Sequence, residues 1–250
     1  MELLIIALTV VAGVAMGAIN NVAGGAGIIG LLAFEYGFGL PLETANPSTR
    51  LAAVAIGAFA CIGFVRAGRK IPKQAFTQAL VALPGALLGA KLAIGLPPMV
   101  FRSYLALIMV MLLVQMLRGI KPNANKSPAW QGMVGCFLIG LHMGYAQVGT
   151  GLVATLMLAK AYDRDLLAVN AAKCIVVTVT ALVSTVSLAI DGAITWAPAI
   201  ALAIGCAVGS YLASHWSVKQ GAGAVRKVIL LIATLALLEQ LRQIALLLAS

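Results

Sequence analysis

Long apolar runs separated by short polar breaks dominate this chain. Runs at 3–19, 75–94, 100–117 and 197–213 approach the ~20 residues that a helix needs to cross the hydrocarbon core of a bilayer. The pattern predicts an all-α polytopic membrane protein with eight to ten helical segments. We place these segments at residues 3–19, 25–38, 45–65, 74–94, 99–118, 128–145, 149–161, 166–190, 195–213 and 225–248.

Two of these segments, 25–38 and 149–161, are too short to cross. At 1.5 Å per residue, each covers about 20 Å of a ~30 Å core. Each follows a break rich in glycine and amides, "AINNVAGGAG" (18–27) and "HMGYAQVG" (142–149). We expect each break, which we place at 20–25 and 142–149, to form the tip of a re-entrant hairpin near mid-membrane. Unpaired backbone groups are costly in lipid, so the breaks should line a polar cavity inside the protein.

The chain also resembles itself. With a shift of 124 residues, the segment 24–27 falls on 148–151, Asn46 falls on Asn170, and Gly68 falls on Gly192. With a shift of 120, Gly85 and Gly89 fall on Gly205 and Gly209. We therefore predict two repeats of four to five segments, residues 1–120 and 128–250. A polar linker at 121–127 joins them, and together they form one transport domain.

Charge predicts that the two repeats have opposite orientations. The formal net charge is +10, and the basic residues gather at the ends of apolar runs, which indicates membrane topology rather than nucleic-acid binding. Basic loops at 66–73, 118–126 and 219–227 are expected in the cytoplasm. Loops with Glu35, Glu43 and Asp191 are expected outside, and so are two basic residues, Lys91 and Arg102, that do not fit the rule. Loop 66–73 and its mate 191–195 thus face opposite sides. Such an inverted repeat is typical of secondary transporters.

The two breaks and the residues near them favour an anion site at mid-depth. Two outgoing short helices would present free N–H groups to the cavity from opposite sides. Backbone, amide and hydroxyl donors would be joined by two cations at nearly equal depth and by one histidine. The candidate binding residues are Asn20, Asn21, Gly24, Gly25, Gly27, Asn46, Ser48, Thr49, Arg50, His142, Gln147, Gly149, Thr150, Gly151, Asn170 and Lys173.

Each kind of candidate has a plainer alternative that the sequence leaves open. The glycines also suit close helix packing. Pro47 is expected to begin a helix, so Arg50 would lie near a helix end and could snorkel to the surface. Asn46 and Asn170 suit helix caps. His142 suits either a proton carrier or a structural histidine.

The chemistry that is missing narrows the function. There are only seven acidic residues, and they form no cluster at mid-depth, which argues against a cation carrier. The chain has no phosphate loop, zinc-binding motif or nucleophile elbow, so we expect no enzyme, metal or cofactor. The four cysteines, Cys61, Cys136, Cys174 and Cys206, lie in apolar runs and are expected to be small buried side chains.

Two pairs of motifs resemble the sulfite exporter TauE/SafE family of membrane permeases. The residues that carry the resemblance are "NNVAGGAG" with "ETANPSTR" in the first half, and "YAQVGTG" with "LAVNAAK" in the second. The resemblance implies transport of a small sulfur oxyanion such as sulfite, a sulfonate, sulfoacetate or thiosulfate across a bacterial inner membrane. An anion channel on the same scaffold and a non-transporting subunit or receptor remain alternatives. The expected partners are a small anionic substrate and the lipid bilayer. Import or export, the driving force and a homodimer stay open.

Overall fold

A computed structural model describes residues 2–23, 25–95, 97–118, 129–158, 161–162 and 166–217, with short pieces at 234–235, 237–239, 241–242 and 244–246. These residues are helical and contain no strand. The linker 121–127, Gly24, the basic positions of 219–227 and most of the last expected segment, 225–248, lie outside them. The all-α class is confirmed.

The described residues up to 217 form ten α-helices and one π-helical turn, and the short pieces at 234–246 are helical as well. In chain order they are α1 (Glu2–Ala23), α2 (Gly27–Leu32), the π-helical turn (Ala33–Gly37), α3 (Leu42–Ser48), α4 (Arg50–Arg66), α5 (Gln74–Gly95), α6 (Pro98–Arg118), α7 (Ala129–Tyr145), α8 (Thr150–Leu158), α9 (Leu166–Ile190) and α10 (Trp196–Ser217).

Five stretches of the described chain are long and apolar enough to cross a membrane. They are Leu3–Asn21, Leu42–Arg66, Gln74–Gly95, Ala168–Ile190 and Trp196–His215. Large apolar side chains point away from the protein on these helices: Leu80 is 64% exposed, Ile190 80% and Leu212 57%. A surface of this kind suits lipid rather than water. The chain is a multi-pass membrane protein, as predicted.

The first break begins later than the sequence suggested. Helix α1 continues to Ala23, so Asn20 and Asn21 lie on the helix and not in the break. The Asn21 Nδ2 group donates to the Ser210 carbonyl oxygen at 3.0 Å. Asparagine disfavours helices mainly when its side chain competes for nearby backbone groups. A partner on another helix removes that competition.

The second break is also shorter than expected. Helix α7 continues to Tyr145, which places His142 on the helix and leaves residues 146–149 as the break. The Ala146 N–H still donates to the His142 carbonyl at 2.7 Å, and the chain then turns at Gly149, whose φ is +83°. Only glycine adopts that conformation without strain.

Pro47 does not begin a helix. It lies inside α3, which starts at Leu42, and a turn at Thr49 separates α3 from α4. Proline lacks the N–H that would continue the helical ladder, which accounts for the interruption. Asn46 is therefore not a cap, and Asn170 lies inside α9, which starts at Leu166. Arg50 is well inside the span 42–66 and completely buried, so it does not snorkel.

Two helix pairs approach so closely that their backbones touch. Helix α1 packs on α10, and helix α5 packs on α7. A Cβ atom added to Gly13 would lie 2.5 Å from the Leu202 carbonyl oxygen, and one added to Gly140 would lie 1.9 Å from the Ala82 oxygen. Small residues permit this approach in membrane proteins. The glycines of the two contacts are Gly13, Gly17, Gly205 and Gly209 in the α1/α10 seam, and Gly85, Gly89, Gly140 and Gly144 in the α5/α7 seam.

Gly68 and Gly192 end their helices in the same way. Both have positive φ, +80° and +69°. The N–H of the next residue reaches back to a carbonyl five residues earlier in each, Arg69 to Phe64 at 3.0 Å and Ala193 to Leu188 at 2.9 Å. This is the Schellman pattern of a helix C-terminus. Gly68 follows the end of α4, whereas the Thr195 N–H donates to Ser48 Oγ, just before α4 starts.

The two basic residues that did not fit the charge rule are both paired with acids. Lys91 Nζ lies 2.8 Å from an Asp191 carboxylate oxygen, and Arg102 Nη2 lies 2.8 Å from Glu35 Oε1. Asp191 and Glu35 belong to the loops expected outside. The positive-inside rule counts basic residues and gives acids little weight, so both cations still count against the predicted topology.

Candidate anion site

The two breaks meet inside the protein. Gly25 and Gly27 are buried, and a Cβ atom added to Gly27 would lie 3.0 Å from Val148 Cα. Residues 146–149 of the second break are buried as well. Buried irregular backbone is tolerated at membrane depth only where other protein groups or a cavity surround it. The contact between Gly27 and Val148 is therefore a natural place to look for a ligand.

A narrow cavity with a volume of about 20 Å³, room for about one water molecule, lies beside this contact. Its walls include Ala53 and Gly57, near the middle of the span 42–66, so the cavity lies at about half the membrane depth. Six of the predicted site residues line it, namely Asn20, Asn21, Gln147, Thr150, Gly151 and Lys173. They come from α1, the second break, α8 and α9.

Lys173 brings positive charge to the cavity. Its side chain is 5% exposed, and its Nζ donates to Asn170 Oδ1 at 2.8 Å. Asn170 thus supports the cation, although it does not itself line the cavity. Among the described residues that line the cavity, none is acidic. A buried ammonium without a carboxylate partner is unfavourable, so the cavity favours an anion that would neutralise it.

Gln147 supplies an amide with nothing to bond. It is 3% exposed and follows the end of α7. Neither its Nε2 nor its Oε1 has a hydrogen-bond partner in the described structure. Buried polar side-chain atoms nearly always have partners, and leaving one without costs about 1–3 kcal/mol. An amide of this kind at a cavity wall indicates a missing polar ligand.

The other lining residues differ in how free they are. Asn21 is held by Ser210, as described above. Thr150 Oγ1 donates to the Gln147 carbonyl at 2.8 Å, which fixes the turn into α8. Asn20 is half-buried at the cavity wall. The groups best placed for a ligand are therefore Lys173, Gln147 and Asn20.

Arg50 does not line the cavity. Its guanidinium donates to the carbonyl oxygens of Gly144 and Tyr145 at 3.3 and 2.8 Å, which are the last residues of α7. It also donates to the Asn46 carbonyl and Oδ1, at 3.2 and 3.0 Å, and to Thr49 Oγ1. The final carbonyls of a helix lack partners within the helix, and a cation there also suits the helix dipole. Arg50 thus holds the chain where the second break begins.

Three polar residues next to Arg50 form hydrogen bonds to the end of α7 or within α3. Asn46 Nδ2 donates to the Tyr145 carbonyl at 3.1 Å. Thr49 Oγ1 donates to the Asn46 carbonyl at 2.7 Å, and Ser48 Oγ donates to the Thr44 carbonyl at 2.7 Å. These three residues are buried around α3 rather than at the cavity.

His142 spans the second break. Its Nε2 lies 2.9 Å from the Val148 carbonyl oxygen, so an Nε2–H donates across the break. Its Nδ1 then accepts a hydrogen bond from the Tyr104 hydroxyl on α6. Tyr104 was not among the predicted site residues, and the signal it offers is a tyrosine near the start of the apolar segment 99–118. Both ring nitrogens are occupied, which fits a residue that fixes the shape of the break.

The remaining predicted residues are easily placed. Gly149 shapes the turn, Gly27 contacts Val148, Gly25 is buried beside it, and Gly24 is outside the described residues. Cys136, Cys174 and Cys206 are buried, as predicted, whereas Cys61 is half-buried, and all four are free thiols. Within the described ranges, no three His, Cys, Asp or Glu side chains are grouped to hold a metal ion.

A multi-pass helical protein with a buried cationic cavity is of the class of membrane transporters. The chain matches the family described as Sulfite exporter TauE/SafE over residues 9–239, and it belongs to that family. The family consists of membrane transporters of the sulfur-anion exporter type, not enzymes. Comparisons with curated proteins and with solved structures found no match.

Proposed function

We propose that this protein is a secondary carrier that moves a small sulfur oxyanion, such as sulfite or thiosulfate, across a bacterial inner membrane. The single observation that carries the proposal is the cavity in which the buried Lys173 cation faces the unpartnered amide of Gln147. An oxyanion would neutralise the first and accept a hydrogen bond from the second. The family supports a sulfur oxyanion as the substrate.

The second buried cation adds to the preference for an anion. Arg50 is completely buried, and the hydrogen bonds it makes are to neutral oxygens. Its hydrogen bonds are thereby largely satisfied, but its charge is not neutralised. Two buried positive charges near the same break raise the potential in the cavity. Arg50 would then favour the substrate by its field and by holding the break, without touching the substrate.

An inverted repeat would give this carrier two similar half-paths to the cavity. Two features support that arrangement. The α5/α7 and α1/α10 seams each contain one pair of glycines that the shift of 120 superposes, Gly85 and Gly89 on Gly205 and Gly209. The matching caps at Gly68 and Gly192 lie near opposite ends of α4. Alternating access would come from movement of one group of helices against another. Because backbones touch in each seam, we expect α1 with α10, and α5 with α7, to move as rigid pairs.

The test is transport of labelled sulfite into proteoliposomes by the Lys173→Met variant. Methionine keeps the length of the side chain and removes its charge, so we expect uptake to fall to background while the amount of folded protein is unchanged. Lys91→Met is the matched control, since that lysine is exposed and paired with Asp191. Unchanged uptake by Lys173→Met would remove Lys173 from the site.

The same vesicles separate a carrier from the two alternatives. A carrier exchanges labelled for unlabelled substrate, and its flux saturates, whereas a channel shows no counter-transport. A receptor or accessory subunit would be stabilised by its ligand without flux, because a ligand that binds only the folded state raises its stability.

A further inference from the structure

A long apolar groove lies on the outer surface between α4 and α10. We call it the α4/α10 groove. Its walls include Leu51, Phe59, Ile62 and Ile204, and Arg66 and Tyr211 stand at one end. The groove has a volume of about 800 Å³. From Leu51 to Arg66 it extends about 22 Å at 1.5 Å per residue, which is longer than one leaflet of a ~30 Å hydrocarbon core is thick.

A second groove lies between α5 and α9, and we call it the α5/α9 groove. Its residues correspond to those of the α4/α10 groove when the two sequence repeats are aligned. It is lined by Leu87, Lys91, Leu182, Val186 and neighbouring residues, and it has a volume of about 450 Å³. With the shift of 124, Ala58 falls on Leu182, and with the shift of 120, Leu87 falls on Ala207. The α5/α9 groove has leucine at two positions where the α4/α10 groove has alanine.

The two grooves differ most in the charge at their ends. Lys91 is neutralised by Asp191, at 2.8 Å. Arg66 instead donates to the Tyr211 hydroxyl at 2.9 Å and lies 5.6 Å from the centre of that ring. Within the described ranges, Arg66 has no carboxylate partner, and the loop that follows adds three exposed cations, Arg69, Lys70 and Lys73. The Arg66 end is therefore strongly positive.

We propose that the α4/α10 groove binds one anionic phospholipid. One acyl chain lies along the apolar walls of α4 and α10, and the phosphate pairs with Arg66 at the face that the charge pattern assigns to the cytoplasm. Arginine suits phosphate because its planar guanidinium donates two parallel hydrogen bonds. Anionic lipids attract basic residues at the membrane surface by about 1 kcal/mol for each charge. The proposal is independent of the substrate that the central cavity takes.

The charge is tested by native mass spectrometry of the full chain, purified with equal amounts of phosphatidylglycerol and phosphatidylcholine. We expect the wild type to retain one molecule of phosphatidylglycerol in preference to phosphatidylcholine. Arg66→Gln keeps hydrogen-bond donors but removes the charge, and should lower that preference about five-fold. Lys91→Gln is the matched control in the α5/α9 groove and should leave the preference unchanged. Undiminished preference in Arg66→Gln, or equal retention of the two lipids by the wild type, would overturn the proposal.

The groove itself is tested by filling it. Ala58→Leu with Ala207→Leu introduces the residues found in the smaller groove and leaves Arg66 in place. We expect the retained phosphatidylglycerol to disappear while helical content and melting temperature stay at the wild-type values. Retention of the lipid by this folded double variant would show that the acyl chain lies elsewhere and would overturn the proposal. A dimer without bound lipid would show that a second copy covers the groove, and would also overturn the proposal.

Discussion

Arg50 and Lys173 have nearly the same depth in the two halves, but their surroundings differ. Arg50 meets five oxygen atoms, including two carbonyls at the end of α7, and lies outside the central cavity. Lys173 meets one amide oxygen and lines the cavity. The two buried cations thus differ in what they contact. One holds the break in place, and the other faces the expected substrate.

Removal of Arg50 is expected to have the largest effect on stability and is the strongest test of these two roles. Arg50→Met would remove the donor to the Gly144 carbonyl and to Asn46 Oδ1, both of them buried, and each unsatisfied group costs about 1–3 kcal/mol. We therefore expect a loss of at least about 3 kcal/mol in unfolding free energy, seen as a much lower yield of folded protein and a lower melting temperature. Lys173→Met is the control and should fold normally. Equal stability of the two variants would contradict the separation of roles.

Arg50→Lys sharpens the same point. Lysine keeps the charge but cannot reach several acceptors at once as a guanidinium does. We expect a melting temperature between those of the wild type and Arg50→Met, with transport retained in the protein that folds. Full recovery of stability by lysine would show that charge alone matters at this position.

Gln147→Leu tests the unpartnered amide. The amide is buried without a bond, so an apolar side chain of similar size should leave the melting temperature equal or higher. A hydrogen bond to a charged group contributes about 1.5–3 kcal/mol, so we expect the sulfite concentration for half-maximal uptake to rise ten-fold or more. An unchanged concentration dependence would mean that Gln147 does not meet the substrate.

The variants Asn20→Ala and Asn21→Ala are expected to have the smallest effects on stability and transport. Asn21 bonds to Ser210 between α1 and α10, so its loss should cost about 1 kcal/mol of stability and change transport little. Asn20 lines the cavity, so its loss should weaken substrate affinity and leave stability nearly unchanged. Melting curves and uptake kinetics of both variants check this, and the opposite pattern would contradict the assignment.

The residues that the sequence could identify are those whose chemistry is unusual for their place. Two glycine-rich breaks in an apolar chain and a lysine deep in a membrane span indicate a polar cavity. Both features can be recognised from the sequence alone. Gln147, Lys173 and Asn20 were found in this way, and the cavity brings them together.

What the sequence could not reveal depends on contacts between distant residues. The partners of Arg50 in α7 are 94 and 95 residues away, and nothing near Arg50 indicates them. The ends of α1 and α7 were misplaced for the same reason, because Asn21 and His142 find partners on other parts of the chain and do not interrupt their helices. Tyr104 was missed since only the fold places it against His142.

The most direct test of the central claim is a crystal structure of the protein with selenite, a heavier analogue of sulfite whose selenium gives an anomalous signal. We predict one anomalous peak in the central cavity, with its oxygens within hydrogen-bonding distance, about 3 Å, of Lys173 Nζ and the Gln147 amide. The peak should be absent from Lys173→Met crystals grown in the same way. A peak at Arg50 instead, or a cavity that stays empty in a protein that transports selenite, would contradict the account.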